Sequence, residues 1–322
     1  SRPTYNDPLS QKTLERCDVL LGEPAVCGPI VDQCPNLTWL QSTFAGCNQL
    51  LTASTRRDYT ATRLAGCFGP DMAEYSLLHI LRLERRHDQQ RAAQARREWV
   101  EPRSPVGLAS EVSEYRRLST LTLGVLGLGD IGSDIARACS HGLSMRVIGC
   151  RRDPSYREAD VAAGVDRVYD VGTELPEFLA ASDYIVSVLP STPDTTDLLG
   201  GNTLAACAAS RPPSSPDHQH LVRQQRGVTL INIGRGDLIS EGAIVRALDC
   251  GWLSHYVGDV FPEEPLPTES PLWLHPGVTI TPHNSAVTRP EDVADAFAEN
   301  FRLFCQDGRD ALRNKFRWRA GY

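Results

Sequence analysis

Arg235, in INIGRGDLI, Glu264, in GDVFPEEPLP, and His283, in TITPHNSAV, are the side chains of this chain whose types and order could do chemistry together. A guanidinium is a planar fork that grips a carboxylate through two hydrogen bonds. An imidazole beside a carboxylate can hold or release a proton, and the pairing should raise the histidine pKa from its usual value of about 6.5. All three lie downstream of a glycine-rich turn, Gly127-Leu128-Gly129-Asp130-Ile131-Gly132. A nucleotide-binding turn, a fixed cation and an acid–base pair are what hydride transfer to a small oxo acid requires. The alternative for Arg235 is a structural salt bridge. Glu263 and His275 are the competing neighbours, and His275, in the Pro/Gly turn WLHPG, is expected to be structural.

The glycine turn follows an apolar run, TLGVLGL, and opens a helical one, DIGSDIARACSHG, which is the setting a dinucleotide fingerprint needs. The first glycine permits the tight turn, the second lets backbone approach a pyrophosphate, and the third lets helix and strand pack closely. A site for NAD carries an acidic residue about 20 residues further on, bonded to the ribose 2′-hydroxyl. Here that place holds Cys150-Arg151-Arg152, with Asp153 only afterwards. Two guanidiniums suit a 2′-phosphate that a carboxylate would repel, so NADP is the expected cofactor, NADPH preferred over NADH. In the competing reading both arginines point to solvent and NAD is used.

The elements that must position these residues alternate. RVIGC, DYIVSVLP, VTLINIG, HYVGDV and VTITP read as further short strands, and SEGAIVRALDCG as a helix capped by Ser240 and ended by Gly251. That rhythm predicts an α/β protein with an open parallel sheet and helices on both faces. Residues 17–53 read as a second, small α/β unit. Residues 71–98 form the longest helical candidate, opened by an Asp71–Glu74 capping pattern and running from apolar to charged, as a bridge between domains would. Residues 209–226, SRPPSSPDHQHLVRQQRG, read as an exposed loop, and His218 and His220 within it lack the companions a metal site needs.

Composition excludes several function classes. At 322 residues the chain is long enough for two domains. A net charge of −7 gives no reason to expect nucleic acid or anionic lipid as a partner. No apolar run reaches the roughly 20 residues of a membrane helix, and the first residues lack the apolar core of a secretory signal. The only lysines are Lys12 and Lys315, neither in a motif, which disfavours Schiff-base chemistry and a Walker-type phosphate loop. The ten cysteines show no CxxC or metal-ligand spacing. They read as small buried hydrophobes in a reducing, cytoplasmic setting.

INIGRGDLISEGAIVRAL, GDVFPEEPLPTESPLW and VTITPHNSAVT, in that order, resemble the characteristic blocks of the D-isomer-specific 2-hydroxyacid dehydrogenase family. ASDYIVSVLPSTPDTTDLLG and WLQSTFAGCNQL resemble it too, and the PLWLHPGVTITPH stretch with the final RAGY is most similar to its glyoxylate/hydroxypyruvate reductase branch. The resemblance implies two Rossmann-like domains with parallel sheets and a cleft between a cofactor domain, 93–287, and a smaller discontinuous substrate domain, 1–92 plus 288–322. It implies Arg235 as carboxylate and carbonyl anchor, His283 as general acid/base and Glu264 as its partner. Backbone around Ala45-Gly46 would bind substrate. Leu189, Pro190, Thr195, Ile233, Asp259 and Ser285 would line the cofactor, and the protein would be a homodimer. Ahead of the segment matching Cys17–Gly22 the family usually has a strand and a helix, so an abbreviated or trimmed small domain is expected. The expected activity is reduction of small 2-oxo acids to 2-hydroxy acids. The alternative on the same fold is a dinucleotide-sensing corepressor that binds peptides, against which the arginine pair and the acidic charge both count. Formate dehydrogenases are disfavoured because they usually carry glutamine at the position of Glu264.

Overall fold

Seven parallel strands build the larger sheet of the computed structural model, which describes residues 8–101, 112–113, 115–208, 227–319 and 321. A smaller sheet comes first in the chain: β1 (Val19–Gly22), β2 (Trp39–Ser42) and β3 (Thr60–Thr62), parallel and in sequence order. The larger comprises β4 (Thr122–Leu126), β5 (Arg146–Arg151), β6 (Val165–Asp170), β7 (Tyr184–Ser187), β8 (Val228–Asn232), β9 (Leu253–Gly258) and β10 (Val278–Ile280). Its order, β10-β9-β8-β7-β4-β5-β6, reverses direction between β4 and β7. The central strands β4, β7 and β8 are buried at every residue. That is why they read as continuous apolar runs rather than alternating ones: both faces are covered by helices.

The chain divides into two compact units, residues 1–68, 190–193 and 287–322, and residues 69–189 and 194–286. In the smaller unit the last long helix, Pro290–Asp307, returns to the sheet of β1–β3. Trp39, fully buried on β2, stacks on Phe297 at 5.2 Å between ring centres, and its indole N–H donates to Thr62 Oγ1 at 2.8 Å. A helix, Pro8–Glu15, precedes β1.

Two expectations are corrected here. Residues 69–92 belong with the larger unit, not the smaller: helix Gly69–Glu84 packs on helix Asp130–Arg137, so its apolar stripe is buried against the cofactor side of the chain. And residues 71–98 are not one helix. Helix Gly69–Glu84 and helix His87–Ala95 are separated at Arg86, whose φ of 54° is left-handed and cannot continue a right-handed helix. Ser240 caps helix Glu241–Asp249 as expected, its Oγ accepting from the Ala243 N–H. The loop reading of 209–226 falls outside the described residues. Among the described residues, no helix is long and apolar enough to cross a membrane.

Candidate active site

The glycine turn sits at the carboxyl edge of β4, next to the point where the sheet order reverses, the place where open α/β sheets bind ligands. Gly127 has φ 105°, a conformation a side chain would strain. A Cβ on Gly132 would lie 2.3 Å from the Gly127 carbonyl oxygen, so the third glycine lets helix Asp130–Arg137 close onto the turn. A Cβ on Gly129 would meet nothing within 4 Å. Among the described residues no packing demands the second glycine, and the space above it is where a pyrophosphate would approach. The turn therefore fits a dinucleotide. Leu128 contributes only backbone, since its side chain is buried against Gly149 of β5. Ile131 packs on the same core, and Asp130 is exposed in the first turn of the helix.

Beside this turn the chain segments after β7 and β8 converge. Gly127 and Gly234 both lie against the backbone of Leu189, next to the buried Ile233. Pro190 groups with the smaller unit, whereas Thr195, buried, lies in the larger.

The segments that carry Arg235, Glu264 and His283 are joined by backbone packing. Asn232, fully buried at the end of β8, donates through its side-chain amide to the Arg235 carbonyl at 2.9 Å, closing the turn that carries the guanidinium. Arg235 itself is half-buried, with Nη1 donating to the Gly234 carbonyl at 2.6 Å. Gly236 then lies directly on Phe261, since a Cβ there would fall 1.9 Å from the Phe261 carbonyl carbon. The Phe261 N–H donates to Glu264 Oε1 at 2.9 Å, and Glu264 Oε2 meets His283 Nδ1 at 2.7 Å. Thus each of the three segments abuts the next. The His283 side chain remains 56% exposed and that of Glu264 35%, so the pair faces solvent rather than the core. Glu263 is exposed, while His275 Nδ1 accepts from the Gly277 N–H, closing a turn as expected.

Asn232 and Asp259 do more than sequence reasoning assigned to them. Asp259 is fully buried, and its carboxylate accepts from the backbone N–H groups of Asn284 and Ser285, both at 2.9 Å, and from the Thr281 hydroxyl. Of roughly four acceptor sites on a carboxylate, three are engaged by protein. His283 needs that support, because its backbone φ of 53° is left-handed and costs a non-glycine residue about 1–2 kcal/mol.

The arginine pair is split. Arg151, only partly buried at the end of β5, forms a bidentate ion pair with the buried Asp160, at 2.8 and 2.6 Å, and also reaches the Asp153 carbonyl at 2.6 Å. Burial raises the Asp160 pKa, but the hydrogen bonds from Arg151 and the Arg157 backbone outweigh it, and the net shift is downward. Arg151 is therefore committed to shaping the segment after β5, and Arg152 is the exposed guanidinium of the two. Cys150 and Cys139 behave as apolar side chains: burial pushes both thiols up to about 12, which keeps them protonated and unreactive. In the smaller unit Ala45 and Gly46 follow β2, both partly exposed, on a turn where Ser42 Oγ accepts from the Phe44 N–H.

Residues 77–211 and 215–285 match the family model described as D-isomer specific 2-hydroxyacid dehydrogenase, NAD binding domain. Among solved structures, a D-isomer specific 2-hydroxyacid dehydrogenase family protein from Aeromonas salmonicida is 36% identical, with 98% of this chain and 90% of that one covered and a TM-score of 0.77. A D-isomer specific 2-hydroxyacid dehydrogenase from Xanthobacter autotrophicus, in complex with NADPH and MES, is 30% identical over 91% of this chain and 82% of that one, with a TM-score of 0.74. An NADPH-dependent glyoxylate/hydroxypyruvate reductase from Sinorhizobium meliloti, in complex with NADP and sulfate, is 26% identical over 98% and 90%, with a TM-score of 0.76. Match and geometry agree: this chain belongs to the D-isomer specific 2-hydroxyacid dehydrogenase family.

Proposed function

We propose that this protein is an NADPH-dependent reductase of small 2-oxo acids of the glyoxylate and hydroxypyruvate type, acting as a cytoplasmic homodimer. The observation that carries the reading is the Glu264–His283 hydrogen bond on a turn that abuts the Arg235 turn. The relatives from Sinorhizobium and Xanthobacter, crystallised with NADP and NADPH, support the cofactor and the substrate class.

When bound, NADPH would supply the hydride. Gly127, Gly129 and Gly132 with the first turn of helix Asp130–Arg137 would hold its pyrophosphate, and Leu189, Pro190, Thr195, Ile233, Asp259 and Ser285 its nicotinamide end. Positive charge from Arg152, on a segment braced by Arg151, stands where an NAD site would have a carboxylate. Arg235 grips the substrate carboxylate and polarises its ketone. His283, with Nδ1 on Glu264, has Nε2 left for substrate and donates the proton there as the carbonyl oxygen takes on negative charge. Glu264 fixes the direction of the imidazole through its bond to Nδ1.

The test is absorbance at 340 nm with NADPH and NADH against glyoxylate, hydroxypyruvate, pyruvate and bulkier oxo acids. Turnover is expected with the small acids and NADPH, and Arg152→Ala should weaken NADPH far more than NADH. Preference for NADH, or equal losses of both cofactors, would overturn the cofactor reading. Absence of turnover on every acid would overturn the substrate class.

A further inference from the structure

The loop bearing His283 is held in its left-handed turn by Asp259, and Asp259 is itself held from a distant part of the chain. The His283 N–H donates to the Asp259 carbonyl at 3.0 Å, and the next two N–H groups donate to the Asp259 side chain. The remaining donor among the described residues is Thr281, immediately after β10, whose hydroxyl lies against Oδ1. A hydroxyl has one proton, and a carboxylate can only accept. The Thr281 proton therefore goes to Asp259. The 2.6 Å contact between Tyr75 and Thr281 must then run the other way, with the phenol donating to the Thr281 oxygen. The result is a one-directional chain, Tyr75 to Thr281 to Asp259, ending on the carboxylate that shapes the His283 loop.

Tyr75 is well placed to anchor such a chain. It sits on helix Gly69–Glu84, whose partner is helix Asp130–Arg137, the helix that opens at the glycine turn. Its ring lies 4.4 Å from that of the buried His79, which fixes its direction. Asp259 is fully buried, so its carboxylate is shielded from bulk solvent.

We propose that Tyr75 is a positioning residue for the reaction: through Thr281 and Asp259 it sets the loop that presents His283 to the substrate. The proposal rests on His283 being the proton donor. Its experiment separates the two ideas.

Tyr75→Phe keeps the ring and removes only the phenol oxygen. The expected result is a kcat about 10- to 100-fold lower, the scale on which small misplacements of a catalytic group act, with KM for the oxo acid and the dissociation constant for NADPH within about twofold. Thr281→Val should fall by a similar factor, and Thr281→Ser, which restores the hydroxyl, should recover most of kcat. The double variant Tyr75→Phe/Thr281→Val should be no worse than Thr281→Val alone, because both cut one chain. Unchanged kcat in Tyr75→Phe, a Thr281→Ser as impaired as Thr281→Val, or multiplying losses in the double variant would each overturn the proposal. So would a lower melting temperature with kcat per NADPH-binding site unchanged, the signature of a purely structural role. Should Tyr75→Phe not fold, the Thr281 pair decides alone. If His283→Ala retains turnover, the underlying reading fails; if it loses turnover while these variants do not, only the positioning role fails.

Discussion

At the carboxyl edge of the seven-stranded sheet Glu264 and His283 stay open to solvent, whereas at the amino edge Glu84, Arg116 and Asp183 are closed on one another. His283 and Glu264 form a single hydrogen bond and stay half exposed, on a loop whose backbone is held for them by Asp259. Below the other end of the strands, Glu84 is buried and accepts from Arg116 Nε at 3.0 Å and from the Tyr184 hydroxyl at 2.7 Å. Arg116 also reaches Asp183 at 3.1 Å, and Asp183 in turn accepts from the Thr122 N–H that begins β4. A cavity of about 390 Å³ lies beside this cluster, lined among others by Arg82, Glu84, Arg116, Tyr184 and His255. The same side-chain types thus serve opposite ends. Saturated with partners and buried they join helix to sheet; left open to solvent, as Glu264 and His283 are, they keep capacity for a partner from solution.

That contrast can be broken by substitution. His283→Ala should lower turnover by about 10²- to 10⁴-fold, the range for a general acid, while NADPH still binds in a fluorescence titration. Unchanged turnover would make the carboxyl-edge histidine as inert as the amino-edge charges. Arg116→Met should do the reverse. It leaves Glu84 buried without its cation, a loss of about 3–5 kcal/mol of stability in urea unfolding, with KM for the oxo acid unchanged in the folded fraction. A stability loss below about 1 kcal/mol would show the cluster to be a solvated surface feature.

A third, smaller effect comes from pH. Burial lowers the His79 pKa from 6.5 to about 4, with the nearby Arg82 charge adding to it. The folded state then binds fewer protons there than the unfolded chain. Stability from this group is complete above pH 6.5 and is lost as pH falls toward 4, at up to about 1.4 kcal/mol per unit. His79→Phe should flatten that part of the stability profile, measured as urea midpoints between pH 7 and pH 4. An unchanged slope would show that His79 is not the group responsible.

Local signals made much of the molecule legible from sequence. Gly127, Gly129 and Gly132, the strand runs around them and the Ser240 cap depend on interactions within a few residues, and all lie where the pattern placed them. The blocks carrying Arg235, Glu264 and His283 were legible for the same reason, each a short turn at a strand end. The pairing of Arg151 was not legible, because its partner, Asp160, sits on the next helix and nothing in Cys150-Arg151-Arg152 shows which guanidinium is engaged within the protein. Arg86 was missed because a left-handed break inside a charged helical stretch leaves no glycine or proline behind.

Chain order and residue type alone therefore determined the fold class and the dinucleotide turn, since these follow from periodicity and from backbone freedom at single positions. Which groups are spent on one another was decided only in three dimensions. Tyr75 and Thr281 are 206 residues apart in the chain and 2.6 Å apart in the fold. A hydrogen bond is set by distance and direction through space, and separation along the sequence carries no information about either.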